Sequence, residues 1–136
     1  SSAPWAPQIK KLGLRRTNVR GDIAALGMCT NLESAEFRGC RRITGDIAAL
    51  GNCTSLKEVD FRGCEEITGE ISFLEKCTNL EKATFGWCLK ITGDVAAIGT
   101  CTNLKKADFC GCFELTGNVN ALGNCTNLVH ADFFNC

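Results

Sequence analysis

The sequence predicts an α/β solenoid built from stacked copies of one short unit. Three observations support this fold class. Ten of the eleven cysteines follow one 24-residue period, in two series: Cys29, Cys53, Cys77, Cys101, Cys125, and Cys40, Cys64, Cys88, Cys112, Cys136. A fixed period of this length is typical of a stacked repeat whose units share one continuous core. Each unit also contains a short stretch with period-two alternation, which predicts a strand, and a Gly-Asp step before an apolar stretch, which predicts a short helical turn.

The units align over most of the chain and give its predicted organisation. The repeat domain spans 12–136 and comprises a half-unit at 12–20, complete units at 21–44, 45–68, 69–92 and 93–116, and an incomplete unit at 117–136. The half-unit looks as if one residue had been deleted. Residues 1–11 lie outside the pattern, and we expect them to cover the N-terminal edge of the stack, with Trp5 as the side chain that closes it. Cys136 follows the last strand directly, so we expect either a longer native chain or a partner over that end.

The strand prediction comes from the alternation within each unit. In unit 45–68, the step Val59-Asp60-Phe61 places two apolar side chains on one face and a carboxylate on the other. A strand of three residues has no partner within its own unit, so it must pair with the same strand of the next unit in a parallel sheet. The pattern predicts six such strands, near Leu12, Ala35, Val59, Ala83, Ala107 and Ala131.

The segment Thr-Gly-Asp-Ile-Ala-Ala-Leu-Gly predicts the other half of the unit. Gly45 lies where the chain must turn, and we expect Asp46, or Glu70 in unit 69–92, to accept hydrogen bonds from free backbone N–H groups at the start of a helical turn. Gly51 is expected to end that turn with a positive φ. Unit 69–92 has Glu75 at this place, where a positive φ would be costly unless the turn differs.

The apolar spacing Leu-x-x-Val-x-Phe-x-x-Cys-x-x-Ile, at Leu56, Val59, Phe61, Cys64 and Ile67, resembles a leucine-rich repeat over residues 12–136. The Cys-Thr-Asn-Leu and Cys-x-x-Ile-Thr strings are similar to the cysteine-containing subclass. The Ile-Thr-Gly-Asp-Ile string and the 24-residue length are similar to the plant-type subclass, and comparable blends occur in algal and other protist arrays. The resemblance implies a right-handed superhelix, with a six-strand parallel sheet on the concave face and short helical turns or extended segments on the convex face.

The same resemblance implies a role for the second cysteine series. Leucine-rich repeats place a side-chain donor, commonly Asn, at the position of Cys40, Cys64, Cys88, Cys112 and Cys136, where it bonds backbone carbonyls of the turn after the strand. We therefore interpret both series as buried ladders of free thiols. Disulfides and a metal site are the alternatives, but parallel Cβ vectors, an odd five per ladder and ligands arranged in a row argue against them. Cys110 departs from the period, and we expect it to be the exposed, reactive cysteine.

Composition excludes several function classes. The chain has 15 basic and 15 acidic side chains and a formal net charge of zero, so no electrostatic argument favours nucleic acid or an anionic membrane as partner. No apolar run is long enough for membrane insertion. The one histidine, His130, shares a face with Asp132 but has no accompanying nucleophile, and the sequence indicates neither an enzyme nor a cofactor. Reduced thiols indicate an intracellular reducing compartment, either the cytoplasm or an organelle such as a plastid.

Candidate binding residues are those that break the repeat on the outward side of the strands. Around the strands, the C-terminal half replaces the arginine-rich character of the N-terminal half with apolar side chains. The candidate protein-binding residues are Trp87, Leu89, Cys110, Phe113, Phe134, Asp108 and Asp132. Trp87 is notable because the equivalent residues are Gly39, Gly63 and Gly111. Exposed aromatic residues beside Asp108 and Asp132 on neighbouring strands favour a protein contact. Two alternatives remain: the loops could bury the aromatic residues against one another, and the charged residues could form pairs across strands.

These observations predict a non-catalytic protein–protein interaction module, such as an accessory or scaffold subunit of a larger assembly. The alternative is a ligand- or peptide-sensing fragment of a receptor-like protein. That alternative requires secretion and disulfide bridges, so a thiol count under denaturing conditions distinguishes the two hypotheses.

Overall fold

The computed structural model describes residues 3–136, so Ser1 and Ser2 of the predicted edge-covering segment lie outside the described residues. The described strands are, in chain order, β1 (Lys11–Gly13), β2 (Gly21–Asp22), β3 (Ser34–Glu36), β4 (Ile43–Asp46), β5 (Glu58–Asp60), β6 (Ile67–Glu70), β7 (Lys82–Thr84), β8 (Lys90–Asp94), β9 (Lys106–Asp108), β10 (Leu115–Thr116) and β11 (His130–Asp132). The helices described are all 3₁₀: η1 (Ala6–Gln8), η2 (Ile23–Met28), η3 (Ile47–Asn52), η4 (Ile71–Lys76), η5 (Val95–Thr100) and η6 (Val119–Asn124).

The odd-numbered strands form the predicted six-stranded parallel sheet, in the order β1-β3-β5-β7-β9-β11. From β3 onward each strand pairs with its equivalent one repeat later, as in Ala35 opposite Val59. Leu12 pairs with Ala35, one residue short of the repeat length, which agrees with a one-residue deletion in the half-unit. The six-strand prediction is therefore confirmed.

The even-numbered strands form a second parallel sheet, in the order β10-β8-β6-β4-β2, which the sequence pattern did not predict. Stacking brings each Ile-Thr-Gly-Asp segment beside the next, where Gly45 lies opposite Ile67. Gly45 has a φ of +108°, and a Cβ there would fall 2.1 Å from an Oδ1 of Asp22 in the preceding unit. Glycine is thus needed at this place both for the backbone conformation and for close packing between repeats.

The helical turns begin as expected but end differently. Asp46 accepts a hydrogen bond from the N–H of Ala48 at 2.8 Å, and Asp22 and Asp94 cap their turns in the same way. The prediction is wrong for Glu70, whose longer side chain makes no cap hydrogen bond. It is also wrong for Gly51, which does not have a positive φ; the turn closes instead through the N–H of Cys53 on the carbonyl of Leu50.

A continuous core fills the space between the two sheets and the helical turns. Its central feature is a spine of phenylalanine rings stacked one per repeat, with neighbouring centroids 5.0–5.7 Å apart: Phe37, Phe61, Phe85, Phe109 and Phe133. Offset aromatic stacking adds to the area that these rings bury. At the N-terminal edge Ala6 is fully buried, whereas Trp5 is 53% exposed and lines an open apolar cavity with Leu12, Leu14 and Phe37, so Trp5 covers this edge only in part.

The two cysteine ladders link successive repeats through hydrogen bonds. In the strand-side ladder, the thiols of Cys64, Cys88 and Cys112 donate to carbonyls 27 residues upstream, at 3.1, 3.0 and 3.0 Å. The other ladder repeats this geometry, as in the bond from Cys53 to the carbonyl of Leu26 at 3.2 Å. The thiol therefore takes the donor role that the leucine-rich-repeat resemblance implied, and the described residues contain eleven free cysteines.

Burial makes these thiols weak acids. It is the main cause that raises the pKa of six thiols, here called the deep thiols: Cys53, Cys64, Cys77, Cys88, Cys101 and Cys112. The pKa reaches about 11 for Cys53 and about 12 for Cys64, from an ordinary value of 9.0. The deep thiols are consequently protonated and unreactive at neutral pH.

Candidate functional site

Every unit makes the same tight turn immediately after its strand of the six-stranded sheet. The turn residue has a positive φ between 54° and 78° in all six cases: Arg16, Gly39, Gly63, Trp87, Gly111 and Asn135. Its N–H continues the sheet by donating to the next repeat, as from Trp87 to the carbonyl of Cys110 at 2.7 Å. The sheet therefore fixes this conformation whatever residue is present, and a bulky aromatic residue is strained in it.

The indole of Trp87 extends over the next repeat. A Cβ at Gly111 would lie 2.5 Å from Cε3 of Trp87, so the ring rests directly on the backbone of that glycine. The edge of the ring system meets Phe113, with centroids 6.1 Å apart and planes at 72°. The carbonyl of Phe134 accepts the N–H of Gly111 at 2.8 Å, which brings Phe134 alongside.

These side chains are open to solvent. Trp87 is 45% exposed, Leu89 and Phe113 are 37% and 54% exposed, and Phe134 is 68% exposed. We call Trp87, Leu89, Phe113 and Phe134 the aromatic patch. The structure joins Trp87 to Phe113 by ring contact and to Phe134 through Gly111, while Leu89 is exposed on the loop two residues after Trp87.

The two aspartates among the candidate residues first serve the local backbone. Oδ1 of Asp108 accepts the N–H of Cys110 at 3.0 Å, and Oδ1 of Asp132 accepts the N–H of Phe134 at 2.9 Å. Asp60 does the same for Arg62 at 3.1 Å. These side-chain-to-backbone bonds shape the turn that presents the patch. The recurrence of Asp two residues before the bonded N–H was the available sequence signal, and the sequence argument missed it.

The cysteines at the edge of the patch differ from the expectation. Cys110 is only partly exposed, whereas Cys136 is the exposed cysteine. Desolvation, followed by the nearby carboxylates of Asp132 and Asp108, raises the pKa of Cys110. A raised pKa lowers the thiolate fraction of Cys110 at neutral pH, and its reactivity stays a prediction.

Charged side chains on the exposed sheet face pair between strands, as the alternative interpretation of these residues holds. Arg62 does not pair with the carboxylate of Asp60 two residues before it; its Nη2 reaches Oδ2 of Asp108 at 3.2 Å, two strands away. The side chain crosses Gly86, where a Cβ would contact Cγ of Arg62 at 3.4 Å. Arg15 and Glu36 form a further ion pair on this face at 3.3 Å, so cross-strand charge pairing accounts for part of the face.

The comparisons with known proteins concern the fold. The chain matches no protein-family profile and no curated protein. Among solved structures it is similar to the plant peptide hormone receptor RGFR1 in complex with RGF2 (16% identity, 87% of this chain and 23% of the receptor chain, TM-score 0.51). It is also similar to internalin C2 of Listeria monocytogenes (15% identity, 92% and 71% of the two chains, TM-score 0.46) and to the Leptospira interrogans leucine-rich-repeat protein LIC12759 (10%, 93% and 43%, TM-score 0.41).

The repeat, the stacked parallel sheets and the short helical turns, with the likeness to the receptor structure, are those of the leucine-rich-repeat fold. The chain is thus an α/β solenoid of the leucine-rich-repeat fold. At these identities the likeness concerns the fold alone. Across the described residues, no helix is long and apolar enough to cross a bilayer.

Proposed function

We propose that this chain is a non-catalytic protein–protein interaction module, such as an accessory or scaffold subunit of a larger assembly. Its partner contacts the exposed face of the six-stranded sheet and the aromatic patch. The observation that carries this proposal is Trp87. Its backbone is strained and its indole is half-exposed, at a turn position that is glycine in three other units. Strained backbone positions concentrate at functional sites.

The energetics of Trp87 support a role outside the chain's own stability. Left-handed backbone costs a residue with a side chain about 1–2 kcal/mol, and the edge-to-face contact with Phe113 returns about 0.5–1.5 kcal/mol. The contact therefore does little more than offset the strain. A partner that covers the patch would gain more free energy than this ring contact gives, because tryptophan is enriched among the residues that dominate binding at interfaces.

The test is partner capture from the native source by cross-linking mass spectrometry. The variant combines Trp87→Ala with Phe113→Ala. The matched control is Trp5→Ala, which removes the other half-exposed indole at the opposite end of the solenoid. Loss of the cross-linked partner with the patch variant and its retention with the control would support the proposal. Equal capture by the two variants, both shown to be folded by circular dichroism, would refute the patch.

We further propose a reducing intracellular compartment. The ladders support it, because each deep thiol donates a hydrogen bond to a backbone carbonyl of another repeat, and oxidation of the thiol would remove that bond. A thiol count on the denatured native protein tests this. Ten or more free thiols fit the proposal, whereas many disulfides would favour the receptor-fragment hypothesis instead.

A further inference from the structure

The geometry points to a pocket on the exposed sheet face that binds an acidic side chain of the partner protein. This inference rests on the proposed function and names the chemistry of the partner segment. The pocket has a volume of about 220 Å³, and β5 with its turn contributes most to its lining. The polar lining comes from β3, β5, β7 and β9 and from the turns after β1, β3 and β5: Arg15, Glu36, Arg38, Glu58, Asp60, Arg62, Lys82, Thr84 and Lys106.

Unit 69–92 lacks two outward side chains that other units carry. Thr84 is the last residue of its strand, where β5 and β9 carry the acids Asp60 and Asp108. Gly86 lies two residues later, where earlier units have Arg38 and Arg62. Thr84 is 6% exposed, and its hydroxyl donates to the carbonyl of Val59 at 3.2 Å. The floor at this point is therefore neutral, and its own donor is already used.

The walls carry more positive charge than the face itself neutralises. Five cationic side chains line the pocket against three carboxylates, and Asp108 pairs with Arg62 from outside the lining, which leaves a formal excess of one positive charge. Glu36 pairs with Arg15, and Glu58 lies 3.8 Å from Lys82. Arg38 and Lys106 have no ion-pair partner among residues 3–136, although Lys106 lies directly opposite Lys82 in the sheet register. Like charges directly opposite are destabilising, and a bound anion relieves that repulsion.

Arg62 supplies a donor that is already desolvated. Its Nη2 contacts Asp108, but its Nε is buried and has no hydrogen-bond partner. A buried donor left unpaired carries a desolvation penalty that a carboxylate oxygen removes on binding. Because this Nε is closed to solvent, a carboxylate reaches it only after a shift of the Arg62 guanidinium.

The ligand is a protein carboxylate because the pocket is small and mixed in charge. Three carboxylates in the lining repel an extended polyanion such as nucleic acid or an anionic membrane surface, whereas a single acidic side chain meets only the local excess of cations. Gly86, which Arg62 crosses, immediately precedes Trp87 in the chain. A partner segment with an acidic residue close to an apolar one can therefore occupy the pocket and the aromatic patch together.

The experiment titrates the full chain with the peptide Ac-Gly-Glu-Glu-Glu-Gly-NH2 and follows amide and arginine Nε–H resonances by NMR. We expect shifts at Thr84, Gly86 and the Nε–H of Arg62, and an affinity that falls severalfold when NaCl rises from about 50 mM to about 300 mM. The peptide with glutamine in place of glutamate should give no such shifts. Equal shifts with the glutamine peptide, or none with the glutamate peptide, would overturn the inference.

Matched variants assign the effect to the pocket. Arg38→Gln with Lys106→Gln should lower the affinity about tenfold without loss of stability, because neither side chain has an ion pair to lose. Arg42→Gln with Lys76→Gln changes the same charges outside the pocket, likewise without the loss of an ion pair among the described residues, and should leave the affinity unchanged. An equal loss in both double variants would mean a non-specific charge effect and contradict the inference.

Two further arms separate the outcomes. The variant with Trp87→Ala and Phe113→Ala should bind the glutamate peptide as the unmodified chain does. If the unmodified chain does not bind the peptide but still captures its partner through the aromatic patch, the pocket is rejected and the proposed function is retained. A peptide with phosphoserine as its central residue should bind no better than the glutamate peptide. Clearly tighter binding of the phosphopeptide would assign the pocket to phosphate and overturn the carboxylate assignment.

Discussion

The strain at Trp87 makes a prediction whose sign is unusual. Glycine within regular structure is normally less stable than alanine by about 0.5–1 kcal/mol, because it loses more conformational freedom on folding. At residue 87 the φ of +63° reverses this order. Alanine retains the left-handed cost of about 1–2 kcal/mol, whereas glycine does not. We therefore expect Trp87→Gly to be more stable than Trp87→Ala by about 1 kcal/mol.

The neighbouring Phe113 is the matched control, because it belongs to the same patch but does not have a positive φ. There Phe113→Ala should be more stable than Phe113→Gly by about 0.5–1 kcal/mol. Urea unfolding followed by far-UV circular dichroism measures all four variants. If Trp87→Ala is at least as stable as Trp87→Gly, the backbone at residue 87 is not strained and the reasoning fails. Both Trp87 variants should lose partner capture alike, since both lack the indole.

Three further predictions concern the packing between repeats and the thiols. Gly111→Ala should destabilise the chain more than Gly63→Ala in urea unfolding, because both place alanine at a positive φ but only the first clashes with the indole of Trp87. In a Trp87→Gly background the two variants should be equally destabilised. A larger effect of Gly111→Ala in that background would exclude the clash. Glu70→Asp should raise the free energy of unfolding by about 1 kcal/mol, because aspartate can accept the backbone N–H at the start of the helical turn. Asp46→Glu should lower it by a similar amount because it removes such a bond. Equal free energies of unfolding in the two variants would contradict this explanation. The deep thiols have raised pKa values in the folded state, so their stabilisation is complete below about pH 9 and is lost as the pH rises toward 11. Each deep thiol that ionises only in the unfolded chain lowers the free energy of unfolding by at most about 1.4 kcal/mol per pH unit above pH 9. Urea unfolding at intervals between pH 8 and pH 10.5 should show this loss, and a flat profile would contradict it.

The repeat period was sufficient to predict the features that every unit shares. Once identical strands stack in parallel, the pairing of Val59 with its equivalents and the inward direction of Cys64 follow from the alternation. The second sheet was not predictable in this way. Ile-Thr-Gly-Asp has no period-two pattern, and Gly45 pairs with Ile67 rather than with the equivalent glycine, an offset that depends on how the stacked units are inclined.

The candidate site was predictable in position but not in conformation. Comparison of the units singled out Trp87 because three equivalents are glycine, yet only the structure shows that all six turn residues share a positive φ. The route of Arg62 was likewise hidden from the sequence. Its partner Asp108 is two strands away, and the pairing depends on the absence of a side chain at Gly86.

Several departures from the repeat occur together in unit 69–92 and share a physical character. Trp87 strains a turn, Thr84 lines the pocket in place of an acid, and Arg62, whose buried Nε has no acceptor, crosses Gly86. Each is unfavourable for the isolated chain by the amounts that strain and a desolvated donor cost. The adjoining repeats tolerate them because the phenylalanine spine and the ladders continue through this unit without interruption. A partner that covers the indole and supplies a carboxylate would turn two of these costs into binding energy, and this links the aromatic patch to the pocket in one unit.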